Sequence, residues 1–287
     1  MDAVLLACLS ALLFGALAVS IRLALARRPD PELGALVSVL VALLVVGVGL
    51  ALTGDWHDAR GAGPFLLTGV LSPGLAQILF FRAVANVGAA RTAVLVGTAP
   101  VFSVGIALVA LGEPARLALL IGALLVVLGG VALAGERVRP DDFRGIGVLL
   151  ALSGAILFAT RDNLLRWLAG DTEVRPLLAA AATLLGGTVV IVAYLALRRG
   201  RRLGAGFIPV AALYAPAGLL FGLSYISLFE AYYRGRVTVV SPLVATESLW
   251  GVVFSAAVFR RSEVIGGPLV AGALLVVAGG ALIGAFR

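Results

Sequence analysis

Apolar residues in this chain come in blocks of about twenty, cut by short polar breaks. A helix rises ~1.5 Å per residue, so a block of ~20 residues crosses the ~30 Å hydrocarbon core of a bilayer. Such blocks cover residues 3–26, 31–52, 62–83, 89–111, 115–135, 145–168, 174–198, 208–231, 237–259 and 265–286. They predict an all-α membrane protein with ten transmembrane helices, spans one to ten in chain order. The breaks are chemically distinct. Arg27–Glu32 (RRPDPE) carries two prolines and four charges, and Gly54–Pro64 (GDWHDARGAGP) is a polar turn. Glu136–Arg144 (ERVRPDDFR) is the most charged linker, and Arg198–Arg202 (RRGRR) separates spans seven and eight. No stretch remains for a soluble domain.

The pattern also repeats. GALLVVLGG at Gly122–Gly130 returns as GALLVVAGG at Gly272–Gly280, with eight of nine residues identical at a separation of 150. Upstream, Phe81 and Ala83 align with Phe229 and Ala231, Thr98 with Thr246, and Phe14 and Arg22 loosely with Phe158 and Arg166. Glu113 and Glu263 each precede the repeated helix, where a carboxylate suits the positive helix end as a cap. The division is residues 1–138 and 139–287, five helices each. Five is odd, so the second unit starts on the opposite side of the membrane and the repeat is inverted, the organisation of many secondary transporters. Gly218-x-x-x-Gly222 and Gly280-x-x-x-Gly284 suit close helix packing. Pro73-Gly74 and Pro216 are the hinge candidates, because a proline inside a helix removes a backbone hydrogen bond.

Composition agrees. Hydrophobic residues make up 61% and charged residues 13%, and mean hydropathy is +1.12. Such a chain cannot cover itself with polar surface in water. All 22 basic residues are arginine and the net charge is +7, yet the arginines come in short groups between apolar blocks. They read as topology and headgroup contacts, not as a nucleic-acid surface. Cys8 is the sole cysteine, which excludes a disulfide framework and a thiolate metal site within one chain. The first block lacks a basic leader and is expected to stay as a helix. No cofactor is implied. His57, the one histidine, falls in a loop, and neither HExxH nor paired aspartate-rich motifs occur, which argues against an intramembrane enzyme.

Polar residues at bilayer depth carry the candidate chemistry. Glu247 lies ten residues into span nine, about 15 Å from its start at ~1.5 Å per residue. Inserting an acidic residue there costs about 2.5–3.5 kcal/mol, so it faces a cavity or a partner. Thr246, Ser248 and Trp250 flank it. Gln77 and Tyr225 hold equivalent places in spans three and eight. Phe221, Tyr225, Phe229 and Tyr232 share one helix face, with Ser224 and Ser227 alongside. The expected substrate-binding set is Gln77, Thr98, Ser224, Tyr225, Thr246, Glu247 and Trp250. Arg161 is expected to snorkel to the headgroups, and Asp162 to pair with Arg166 one turn on.

Two patterns resemble the drug/metabolite transporter superfamily, and within it the EamA-type ten-helix exporters. One is a glutamate or proline midway along the fourth helix of each repeat, here TAPVF (Pro100) and TESLW (Glu247). The other is a Gly-Glu step followed by an apolar glycine-flanked helix, here LGEP before GALLVVLGG and RRSEV before GALLVVAGG. The start LLFGALAVSIRLAL is similar to the family's first helix, with Phe14 where Trp is common. Arg261-Ser262 is a second departure. The resemblance covers nearly the whole chain, and the amino-acid exporters of the YddG type are the nearest group it suggests. It implies a secondary transporter that exports small metabolites, chiefly amino acids, by alternating access across the bacterial inner membrane, and a monomer is the expected state. The same architecture leaves open a lipid or lipid-precursor flippase. The resemblance implies cytoplasmic termini, which we take as the expectation. Arginine placement opposes it: an inner N-terminus puts Arg60, Arg116, Arg161, Arg166, Arg175, Arg234, Arg236 and Arg287 inside, 8 of 22.

Overall fold

A computed structural model describes residues 2–54, 56, 59–110, 117–134, 143–170, 172–199, 207–235, 237–259 and 266–285. Among these, all regular structure is helical. The helices are α1 (Ala3–Arg27), α2 (Pro31–Thr53), α3 (Gly63–Gly69), α4 (Ala76–Val87), α5 (Ala89–Val96), α6 (Ala99–Ala110) and α7 (Leu117–Ala134). The chain continues through α8 (Ile146–Gly170), α9 (Pro176–Arg199), α10 (Phe207–Arg234), α11 (Val237–Val244), α12 (Glu247–Val258) and α13 (Gly267–Ala285). Six segments among the described residues are long and apolar enough to cross a membrane: α1, α2, the run 59–87, α8, α9 and α10. Glu113, Glu263, His57, Arg261-Ser262 and most of the central linker lie outside the described residues.

Local chemistry sets the boundaries. Asp30 caps α2, accepting from the Leu33 N–H at 3.1 Å, with Pro31 at the first helical position. Gly54 ends α2 with a left-handed φ of 68°, a conformation that favours glycine.

Three spans differ from the continuous helices expected. Span three is interrupted at Val70–Leu75 by a π-helical turn, in which Ser72 leaves helical geometry before Pro73. The hinge expected at Pro73-Gly74 is therefore a formed break. Span four divides at Gly97-Thr98 into α5 and α6, and span nine divides at Ala245-Thr246 into α11 and α12. Each of these two breaks is finished by the same device. Thr98 Oγ1 donates to Leu95 O and Thr246 Oγ1 to Leu243 O, both at 2.6 Å. Each carbonyl also accepts the backbone N–H of the same threonine, at 3.2 and 3.1 Å, so the hydroxyl is its second donor. Pro216, the other expected hinge, sits inside an uninterrupted α10.

Helices approach closely where glycine removes the side chain. A Cβ at Gly222 would lie 3.0 Å from Ala42 Cα, and one at Gly218 would lie 2.9 Å from Ser38 O, so α10 lies directly on α2. The repeated segments meet each other. A Cβ at Gly129 would lie 2.7 Å from Gly272 O, and one at Gly279 would lie 2.5 Å from Gly122 O. The contacts are reciprocal, and they make α7 and α13 antiparallel. In this pairing Gly279 and Gly272 touch α7.

Candidate functional site

α1, α8 and α10 bring their middle turns together beside the breaks in spans four and nine. They enclose a cavity of about 40 Å³ bounded by Ser10, Phe14, Pro100, Phe158, Arg161, Asp162, Tyr225, Ser241 and Glu247. Glu247 reaches it as the first residue of α12, where the span-nine break exposes a helix N-terminus, and is 6% exposed. The positive end of a helix favours a carboxylate there. Phe14 packs its ring against Phe80, Phe158 and Phe221, with centroids 5.1, 5.9 and 6.4 Å away. This aromatic cluster forms one wall.

Arg161 and Asp162 add an ion pair to the cavity. Both are buried, and Arg161 Nε lies 2.9 Å from Asp162 Oδ1. The guanidinium carbon sits 5.2 Å from the Tyr225 ring centroid and 5.9 Å from that of Phe158, within cation–π range. Tyr232 donates its hydroxyl to Asp162 Oδ2 at 2.9 Å. Two sequence expectations are corrected here. Arg161 does not snorkel to a headgroup. Asp162 pairs with Arg161 and Tyr232 and not with Arg166, whose Nη1 donates to Tyr232 O at 3.2 Å. Neighbouring α10 residues capture both groups, and a reading of one helix face cannot see them.

Of the seven residues expected to bind substrate, Tyr225 and Glu247 line the cavity. Ser224 stands behind it, 3.0 Å from Ser10 Oγ and donating to Ser10 O at 3.1 Å, which locks α10 to α1. Gln77 is buried and donates to Ser38 Oγ at 3.4 Å, between α4 and α2. The hydroxyls of Thr98 and Thr246 are engaged at the helix breaks described above, next to the cavity. Trp250 stacks on Phe254 with a centroid distance of 5.8 Å, and its Cβ lies against Gly15. Sequence reasoning undervalued Arg161 and Asp162 and passed over Ser10 and Ser241. For the first two the signal was present, since adjacent opposite charges inside an apolar block are rare unless partnered.

A second feature lies on the outside of the bundle. An apolar groove of about 830 Å³ runs between α2, α3 and α9, bounded by Leu44, Val48, Leu66 and Leu185, with Trp56 and Arg60 at one end.

At the end of the bundle holding the α1–α2 turn, charged residues tie three elements together. Arg82 of α4 pairs with Glu32 of α2 and donates to the Tyr194 hydroxyl of α9 at 2.7 Å. Tyr194 donates in turn to Glu32 Oε1 at 3.0 Å, and Arg199 donates to Asp30 Oδ1 at 2.5 Å.

Comparisons with known proteins agree with this architecture. One solved structure, titled only as the crystal structure of a protein, superposes with a TM-score of 0.67 at 22% sequence identity. The match covers 98% of this chain and 94% of that one, and at this identity it speaks for the fold. A search of curated proteins gave no match. The model of the EamA-like transporter family matches residues 1–134 and 145–285. With nearly the whole length matched, the chain belongs to the EamA-like transporter family, membrane transporters of small molecules.

Proposed function

We propose that the protein exports small metabolites, chiefly amino acids, by alternating access around the cavity between α1, α8, α10 and α12. The observation that carries this reading is the cavity itself: one guanidinium and two carboxylates, buried among aromatic rings inside an apolar bundle. Charges in that position are costly and mark a substrate or ion path. Aromatic and hydroxyl walls accept varied apolar side chains with modest affinity. Glu247 is the contact for a substrate ammonium, with Tyr225 beside it. Gln77, Thr98, Ser224, Thr246 and Trp250 hold the surrounding helices in register.

The architecture we propose is ten spans in two inverted units, residues 1–138 and 139–287. The reciprocal Gly129–Gly272 and Gly279–Gly122 contacts support it, as do the matching breaks at Thr98 and Thr246. The setting is a bacterial inner membrane, and the nearest functional group is the YddG-type exporters. One observation favours a second reading, a lipid flippase. The groove between α2, α3 and α9 has aliphatic walls, and Trp56 and Arg60 sit where headgroups would lie. Counterflow in proteoliposomes separates the two. Labelled amino acids exchanging with unlabelled ones support export, whereas movement of labelled lipid without amino-acid exchange supports the flippase.

A further inference from the structure

We infer that Arg161 selects substrates with a free carboxylate, and that Asp162 is the internal counter-ion which that carboxylate replaces. The inference rests on the amino-acid reading above and deepens it.

Arg161 and Asp162 are consecutive on α8, and consecutive helix residues point in directions about 100° apart. They therefore cannot form the two parallel bonds of a fork-to-fork pair. The structure shows the consequence. Arg161 Nε and Asp162 Oδ1 are 2.9 Å apart, yet neither atom is aligned for a hydrogen bond, and Arg161 Nη1 is buried with no partner among the described residues. A guanidinium offers five donors in a fixed plane. Here the guanidinium lies beside the Tyr225 and Phe158 rings, and two of its nitrogens, Nε and Nη1, have no hydrogen-bond partner among the described residues. Buried donors left in this condition are expensive, and a ligand carboxylate satisfies them. Arg161 is itself 4% exposed and lines the cavity.

The charges fix the remaining chemistry. With Asp162 and Glu247 both lining the cavity beside one guanidinium, a ligand that brings a carboxylate and an ammonium gives each charge an opposite neighbour, three carboxylates against two cations. The carboxylate goes to Arg161 and the ammonium to Glu247 and the displaced Asp162. The matching class is therefore the zwitterion, with its side chain toward Phe14 and Phe158. A cavity of about 40 Å³ is close to one water's share of ~30 Å³. Binding must therefore widen it, and the breaks at Gly97-Thr98 and Ala245-Thr246 border it on two sides.

The test uses the full chain in proteoliposomes, with labelled L-phenylalanine counterflow competed by L-phenylalanine, its methyl ester and phenethylamine. The amino acid should compete at least about tenfold better than the ester or the amine, the lower end for a charge-assisted pair. The double variant Arg161→Gln/Asp162→Asn keeps near-equal volume and removes both charges together. In it the preference should shrink to about twofold or less. Equal competition by ester and amino acid in the wild type overturns the inference while leaving amino-acid export standing, as does an undiminished preference in the double variant. Absence of any phenylalanine, alanine or glutamate exchange overturns the export reading and this inference with it. Should the double variant not fold, thermal stabilisation of the wild type decides. Protection by phenylalanine and not by its ester supports the inference, and equal protection rejects it.

Discussion

Glu247 and the Arg161–Asp162 pair set what single substitutions do. Glu247→Gln keeps size and most hydrogen bonding and removes a charge. Expression and melting temperature should stay near wild type, because interhelical hydrogen bonds in membranes average only about 0.6 kcal/mol. Transport should fall about tenfold or more, and near-normal exchange across about pH 5–8 would remove Glu247 from the site. Arg161→Ala should behave differently, leaving Asp162 buried without its cation. Breaking such a pair by removing one partner costs about 3–5 kcal/mol, so the melting temperature should drop sharply, whereas Arg161→Gln/Asp162→Asn should largely restore it. A double variant as unstable as Arg161→Ala would reject that account. Glu247 was legible in the sequence because one carboxylate in an apolar block has few explanations. Arg161 was misread because counting residues along α8 gives an approximate depth and says nothing of what crosses beside it. Tyr225, Tyr232 and Phe158 cover the pair, and only the first and last of these also bound the cavity. Thr98 and Thr246 were over-read: both hydroxyls serve backbone carbonyls three residues back, a common habit of threonine in helices.

At the scale of elements, the apolar helices were readable and their continuity was not. Apolar blocks of about twenty residues give a crossing regardless of its path. Whether the ladder runs through Gly97-Thr98 or Ala245-Thr246 depends on what packs there: a Cβ at Gly97 would sit 2.8 Å from Ser248 Cβ and 3.0 Å from Val276 Cγ1. The end network was equally hidden, because Asp30, Glu32, Arg82 and Arg199 are far apart in sequence. It joins α2 and α4 of the first proposed unit to α9 of the second, and so should hold that end shut. Asp30 and Arg199 are about a quarter exposed, so their pair contributes little. Glu32 is more buried, at 13% side-chain exposure, and accepts from both Arg82 and Tyr194. In a Cys8→Ser background, Ser38→Cys places a reporter thiol on α2, two turns inside Glu32. Adding Glu32→Ala should speed its alkylation by a water-soluble maleimide severalfold, and an unchanged rate would mean that another contact closes this end.

At the scale of the whole molecule, helix directions test the proposed count of ten crossings. Gly129–Gly272 and Gly122–Gly279 contacts make α7 and α13 antiparallel, as spans five and ten must be if each span crosses once. Ser10–Ser224 and Phe14–Phe221 make α1 and α10 antiparallel, seven spans apart. Gly218–Ser38 and Gly222–Ala42 make α2 and α10 parallel, six apart. Gly97–Val276 and Val94–Gly272 make α5 and α13 parallel, again six apart. In each of these four pairs an odd separation gives opposed helices and an even one gives aligned helices, the pattern that the proposed single crossings would produce. The proposed ten crossings would put both chain ends on one side. A topology reporter fused at Arg287 should therefore read the same side as one fused before Met1 and the opposite side from one inserted after Arg28. Opposite readings at the two termini would leave an odd number of crossings. They would also count against the proposed inverted repeat, and with it the proposed alternating access.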